Sequence, residues 1–283
     1  MGYKKALIRL FDRPGGRFVL GKVATVVGRR ISRTNITVEY VDGRWIRRIE
    51  SCLIPGSPQF DYSYQSFCPW EQKKEYASET WDYWLRFYRP RGGDTIIDVG
   101  AGHGEDTLTF SRVVGASGRV IAIEAHPLCF DGLKNFCRRN RLSNVQPVCL
   151  ALMDKPGEVR LAESESWAEN HVAFDEDSSG ITVPSGTLDD LCAQQGITDI
   201  AFLKMNIEGA ERRALLGAKL TMPRIRQICV ACHDFRSNQG HGECFRTRIF
   251  VERFLSESGF VLSSRPDDPR DYVRDHVFGF RKN

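Results

Sequence analysis

The stretch Asp94-Thr95-Ile96-Ile97-Asp98-Val99-Gly100-Ala101-Gly102-His103-Gly104-Glu105 decides how this chain is read. Thr95 to Val99 has the length and apolar content of a buried strand, and it runs straight into a glycine turn. A helix over Gly104 to Val114 is predicted next. Glycines let the backbone take positive φ and let a ligand approach closely, and in open α/β sheets that crevice receives nucleotide-like ligands. The spacing is G-x-G-x-G, not the G-x-G-x-x-G that sets a pyrophosphate on a helix N-terminus, and the acid Asp98 precedes it. Adenosylmethionine carries an ammonium and no phosphate, so this turn suits it better than a dinucleotide.

Outward from the turn, strands and helices alternate. Strands are predicted at Arg119 to Ile123, Val145 to Ala151, Ile200 to Met205 and Gln227 to Cys232, with helices at Leu128 to Asn140, Thr187 to Gln194 and Arg246 to Ser258. The last strands, Phe260 to Ser264 and Val277 to Arg281, have no helix between them and read as an antiparallel pair. Residues 155–184 read as extra strands or a loop over the sheet. The expected fold is α/β and Rossmann-like: a mostly parallel seven-stranded sheet with an antiparallel last strand, covered on both faces. Residues 91–283 form that domain, and residues 1–90 an extension.

The extension is basic. Residues 1–50 hold twelve Lys or Arg against four Asp or Glu, although the whole chain is only +4. Phosphates, an acidic substrate or an anionic membrane surface could meet it. Ile36 to Tyr40 and Arg44 to Ile49 flank Asp42-Gly43, a hairpin signal, and residues 71–88 read as a helix. The apolar run Phe18 to Gly28 is too short to span a bilayer and is interrupted by Lys22. No signal peptide is evident, and nine scattered cysteines make no disulfide framework, so a reducing, cytoplasmic setting is expected.

Three further segments carry a resemblance. Thr187-Leu188-Asp189-Asp190-Leu191 resembles a T-L-D-D-L stretch, Ala151-Leu152-Met153-Asp154 through Gly157-Glu158 an A-x-x-D-x-x-G-E run, and Lys204-Met205-Asn206-Ile207-Glu208-Gly209-Ala210-Glu211 the signature K-I-D-x-E-G-A-E. With the glycine turn, these resemble the FkbM family of methyltransferases over about residues 90–283. The resemblance implies a class I methyltransferase fold. It also implies methyl transfer from S-adenosylmethionine, commonly to oxygen, on a small-molecule acceptor such as a polyketide, sugar or glycan. One position departs from the signature: Asn206 stands where the family has Asp, and an amide neither takes a proton nor gives a metal full negative charge.

Glu124 ends the second strand about twenty residues past the glycines, where a carboxylate accepts ribose hydroxyls. The other cofactor candidates are Asp98, Gly100, Gly102, His103, Ala125, His126, Ala151, Leu152 and Asn206. His103 is expected near the methionine carboxylate and His126 at the adenine edge, and either could equally be a solvated loop histidine. For catalysis, Phe202, Lys204, Asn206 and Glu208 alternate onto one side of a strand and its exit, so that Lys204 and Glu208 can either pair or touch the methionine end of the cofactor and the acceptor. His233, at the next strand's end, is the expected base, since imidazole titrates near neutrality. No metal is expected, and Asn206, His233 and Asp234 are the alternative donor set. Cys229-x-x-Cys232 with His241-x-x-Cys244 matches a zinc spacing, but residues i and i+3 of one strand face opposite sides. Two rival readings are an RNA methyltransferase using the basic stretch and a cofactor-binding interaction protein without catalysis.

Overall fold

The structure is a computed structural model that describes residues 13–32, 35–41, 44–49, 52–55, 76–162, 171–172 and 180–281. The elements, in chain order, begin with α1 (Pro14–Ser32), β1 (Ile36–Val41), β2 (Arg44–Ile49), β3 (Cys52–Pro55) and α2 (Tyr76–Tyr83). There follow β4 (Thr95–Val99), α3 (Glu105–Val114), β5 (Arg119–Glu124), α4 (Pro127–Arg139), β6 (Val145–Cys149), β7 (Ala151–Leu152), β8 (Gly157–Ala162), β9 (His171–Val172) and β10 (Gly180–Gly186). The chain ends with α5 (Leu188–Gln194), β11 (Ile200–Met205), α6 (Glu211–Leu216), β12 (Ile225–Ala231), α7 (Asp234–Asn238), α8 (Arg248–Glu257), β13 (Val261–Ser263), α9 (Asp271–Arg274) and β14 (His276–Phe280).

The central sheet has the order β13-β14-β12-β11-β4-β5-β6. β12, β11, β4, β5 and β6 pair in parallel, and β14 is antiparallel to both β12 and β13. The expected sheet is present, and the last strand lies between β12 and β13, antiparallel to both. Both faces are covered, so every residue of β11 is buried. Ile97, Val99, Leu203 and Met205 pack on one side with Leu188 of α5, Leu215 of α6 and Leu255 of α8. Ile96, Phe202 and Cys229 point to the other side, against Trp84, Leu85 and Phe110. Pleating separates the two sets. It also places Cys229 and Cys232 in different cores, as the strand argument against zinc requires.

Some boundaries differ from expectation. The predicted strand Val145 to Ala151 ends at Cys149, and Ala151–Leu152 leaves to pair in parallel with Ser185 and Gly186 in a second sheet, ordered β7-β10-β8-β9. Of the helix predicted over 71–88, residues 76–83 are helical; residues 71–75 and the turn residues Asp42 and Gly43 lie outside the described residues. Helix α1 had no counterpart in the sequence reading. Four glycines and four valines lower its propensity, and only Pro14 at the start and Arg29 and Arg30 in the last turn mark its ends.

Tertiary packing sustains α1. Its Leu20 and Ala24 lie on Ile36, Val38 and Trp45 of the β1-β2-β3 sheet. Gly21 permits the approach, since a Cβ there would stand 2.8 Å from the Val38 carbonyl oxygen. That small sheet is fastened to α4: Asn140 Nδ2 donates to Leu53 O at 2.7 Å, and Leu53 N donates to Asn140 Oδ1 at 2.9 Å. Ile49 of β2 packs on Leu108 of α3 and Phe136 of α4. Arg47 shares Ile49's face of the strand, is buried, and lies close enough to Glu105 for its charge to favour that carboxylate.

Candidate active site

The glycine turn at the end of β4 is built by backbone that only glycine adopts readily. Gly100, Gly102 and Gly104 have φ of 73°, 56° and 102°. A Cβ on Gly100 would run into the Asn206 carbonyl oxygen. The amides of Gly100 and Ala101 both donate to Ile123 O, at 2.9 and 3.0 Å, and Asn206 N donates to Val99 O at 3.0 Å. The turn is thereby stitched to the exits of β5 and β11, which brings Gly100, Glu124 and Asn206 to one place.

Beneath the turn lies a buried ion pair. Lys204 Nζ is 2.9 Å from Asp98 Oδ1 and donates to Gly100 O at 2.7 Å. Thr107 Oγ1 donates to the other Asp98 oxygen at 2.6 Å. Burial works against the lysine's charge, but Asp98 and Asp106 outweigh it and its pKa is raised. Asp106, held by Thr80 Oγ1 at 2.7 Å, is pushed up to about 6 by burial. One expectation is corrected here. Lys204 does not pair with Glu208, because its strand turns it toward β4. Asp98 is fully buried beneath the turn, where it braces the turn through Lys204 and Thr107.

Glu124 lies where the sequence puts it. Its Oε2 accepts from Gly102 N at 2.9 Å and its Oε1 from His126 N at 2.8 Å, so one carboxylate joins the turn to the start of α4. Burial raises its pKa to about 7, against the pull of those amides. His126 is buried and caps α4, its Nδ1 accepting from Leu128 N at 3.3 Å. The His103 ring lies against Gly132 of α4, where a Cβ would collide with it. Neither histidine is in a solvated loop. The Ala125 carbonyl faces Cys149 Sγ at 3.9 Å. Ala151 and Leu152 are packed into hydrophobic clusters, so their side chains fill core beside the crevice.

A second charged cluster occupies the exits of β11 and β12. His233 Nε2 is 2.9 Å from Glu208 Oε1, and His233 Nδ1 is 2.9 Å from Glu211 Oε1. Arg236 donates to Glu208 Oε2 at 2.6 Å. Burial disfavours the imidazolium, but Glu211 and Glu208 prevail and lift the histidine's pKa to about 10. Glu208 is pulled down by His233 and Arg236 despite its burial. His233 is therefore a cation at neutral pH, not the free base expected from an unshifted imidazole. Glu208 reaches this cluster because it departs from strand alternation: it has φ of 50°, and Gly209 follows at 97°. A non-glycine residue in that region costs about 1–2 kcal/mol, which the ion pairs with His233 and Arg236 offset.

Other motif residues are structural. Thr187 caps α5, accepting from Asp190 N at 2.9 Å and donating to Asp190 Oδ2 at 2.6 Å. Asp189 accepts from Leu220 N and Thr221 N, latching the segment after α6. Asp234 Oδ2 accepts from Thr247 N and Arg248 N at the start of α8. The alternative donor set Asn206, His233 and Asp234 is thus committed elsewhere at two of its three members, and no group of three His, Cys, Asp or Glu among the described residues could hold a metal. Arg236, Thr107 and Asp106 escaped the sequence reading. They lie on helices after the strand exits, and nothing in their spacing marks which charge they meet.

A sheet of this order, with a glycine turn after its first core strand and an acid ending the next, defines the class I Rossmann-like methyltransferases that use S-adenosylmethionine. Residues 98–262 match the family model described as the methyltransferase FkbM domain, and the chain belongs to that family. Its cofactor is S-adenosylmethionine. The chain is 28% identical over 209 residues to the 31-O-demethyl-FK506 methyltransferase FkbM of Streptomyces tacrolimicus, covering 62% of this chain and 76% of that one. The structure of methyltransferase FkbM from Methylobacillus flagellatus KT matches with a TM-score of 0.50 at 18% identity, over 77% of this chain. The match spans 52% of that protein, about half its length. A SAM-dependent methyltransferase from Aquifex aeolicus aligns at 15% identity and a TM-score of 0.41, over 71% of this chain and 90% of that one.

The residues present fit the cofactor. Gly100 and Gly102 put no side chain on the turn, and the Glu124 carboxylate, joined to it through Gly102 N, is a group that would accept hydrogen bonds from ribose hydroxyls. No helix among the described residues is long and apolar enough to cross a membrane.

Proposed function

We propose that the chain is an O-methyltransferase acting on a hydroxyl of a small molecule, a natural product or a sugar, in the cytoplasm. The observation that carries this reading is the 28% identity to a methyltransferase whose name specifies 31-O-demethyl-FK506 as its acceptor. The seven free thiols among the described cysteines agree with a reducing setting.

Bound adenosylmethionine supplies an electrophilic methyl group on a sulfonium. Glu124 would hold the ribose of the nucleoside end, and Lys204 keeps the turn in shape through Asp98 and the Gly100 carbonyl. An alcohol becomes strongly acidic as its oxygen gains a methyl group, so a weak, well-placed base suffices to take its proton. Glu208 fills that role. Of the cluster it is the member with the most exposed side chain, and His233 and Arg236 orient its carboxylate.

The test is mass spectrometry of polyketide and glycan acceptor pools incubated with the enzyme and methyl-labelled adenosylmethionine. A labelled O-methyl product, lost in Glu208→Gln while cofactor binding persists, supports the reading. Label on nitrogen or on RNA, or cofactor binding without turnover in any pool, refutes it.

A further inference from the structure

We propose that helix α1 is a docking element that lies on an anionic membrane surface. Its two long faces are unlike. The inner face is fixed to the small sheet: Val38 N donates to Thr25 Oγ1 at 2.8 Å, and Arg29 Nε donates to Ile36 O at 2.7 Å. The outer face is apolar where a solvated helix is polar. Phe18 is 72% exposed, Val19 55%, Val23 54% and Val26 63%, and Val27 is also exposed. Residues 19, 23 and 26 succeed one another at helical spacing, so these side chains form one stripe and not scattered singles.

The charge on this helix has one sign. Arg17, Lys22, Arg29 and Arg30 are its only charged residues, and it contains no Asp or Glu. Arg17 lies over the Tyr40 ring and Arg29 is tied to β1, whereas Lys22 and Arg30 are exposed along the stripe. The surrounding fifty residues have the same bias, twelve cations against four anions. An apolar stripe set among cations matches acyl chains beneath anionic headgroups, and a short stripe needs both attractions for stable binding. With no helix able to span a bilayer among the described residues, the geometry is that of a helix lying in the interface. A protein partner would call for the apolar stripe but not for the uniform positive charge.

The experiment is co-sedimentation of the full chain with vesicles of phosphatidylcholine alone or mixed in equal parts with phosphatidylglycerol. Binding is expected only to the mixed vesicles and should weaken with salt. The double variant Val23→Glu, Val26→Glu should lose at least about tenfold of that binding, because it removes apolar area and adds repulsion. Its melting temperature and adenosylmethionine affinity should stay at wild-type values, which shows that the fold is intact. The proposal is overturned if the wild type ignores the mixed vesicles, or if the variant binds them as well as the wild type does. It is equally overturned if the wild type self-associates through this face and the variant does not, since a second copy is then the occupant.

Discussion

Lys204 Nζ and Asp98 Oδ1 lie 2.9 Å apart, and both side chains are withdrawn from water directly beneath the glycine turn. Removing one partner strands a charge in the interior. Lys204→Met should therefore destabilise the protein by about 3–5 kcal/mol, whereas Lys204→Met combined with Asp98→Asn should recover much of that loss. Urea titrations of both variants test this. Equal losses in the single and double variants would mean that the pair is not the source of the cost.

Glu124 should make cofactor affinity depend on pH near neutrality. Its pKa is raised from 4.5 to about 7, so below that value the carboxyl is protonated and accepts ribose hydroxyls poorly. Affinity for adenosylmethionine should rise as pH passes through about 7 and then level off. Glu124→Gln should flatten this dependence, and Glu124→Ala should weaken binding by about 1.5–3 kcal/mol. Calorimetry on either side of neutrality reads both effects.

His233 should couple stability to pH in the alkaline range. Its pKa rises from 6.5 to about 10 on folding, so its contribution is full below 6.5 and declines until about 10. The wild type should lose stability over that window, and His233→Gln, less stable at neutral pH, should lose much less. Denaturation midpoints measured across the window check the sign. A wild-type curve parallel to that of the variant would show that the imidazole is neutral in the folded protein.

Gly100 and Gly196 separate strain from collision. Both have positive φ, 73° and 64°, but only a Cβ at Gly100 meets other atoms, those of Asn206 and Ile207. Gly196→Ala should cost about 1 kcal/mol from conformation alone. Gly100→Ala should lower the melting temperature further and abolish cofactor binding, as melting curves and calorimetry would show. Comparable behaviour of the two variants would mean that the turn has room to spare.

The alternation from Thr95 onward was legible because strand and helix periods differ and the glycine turn joins them. Glu124 could be found because its place depends only on the length of one strand–helix–strand unit. The charge partners could not. Lys204 and Glu208 lie four residues apart, yet one turns to β4 and the other to β12, because the Glu208–Gly209 turn breaks the alternation.

Local sequence determined the parallel core, the glycine turn and the acid beside it, since each follows from short-range periodicity and backbone freedom. Tertiary structure decided what those groups are electrically. It buried Asp98 against Lys204, and it set His233 between Glu208 and Glu211, which keeps the imidazole charged. It also folded the valine- and glycine-rich segment 14–32 into a helix, because packing on Ile36, Val38 and Trp45 outweighs weak propensity. Ion pairing and burial depend on which distant segments meet, and that information exists only once the chain has closed on itself.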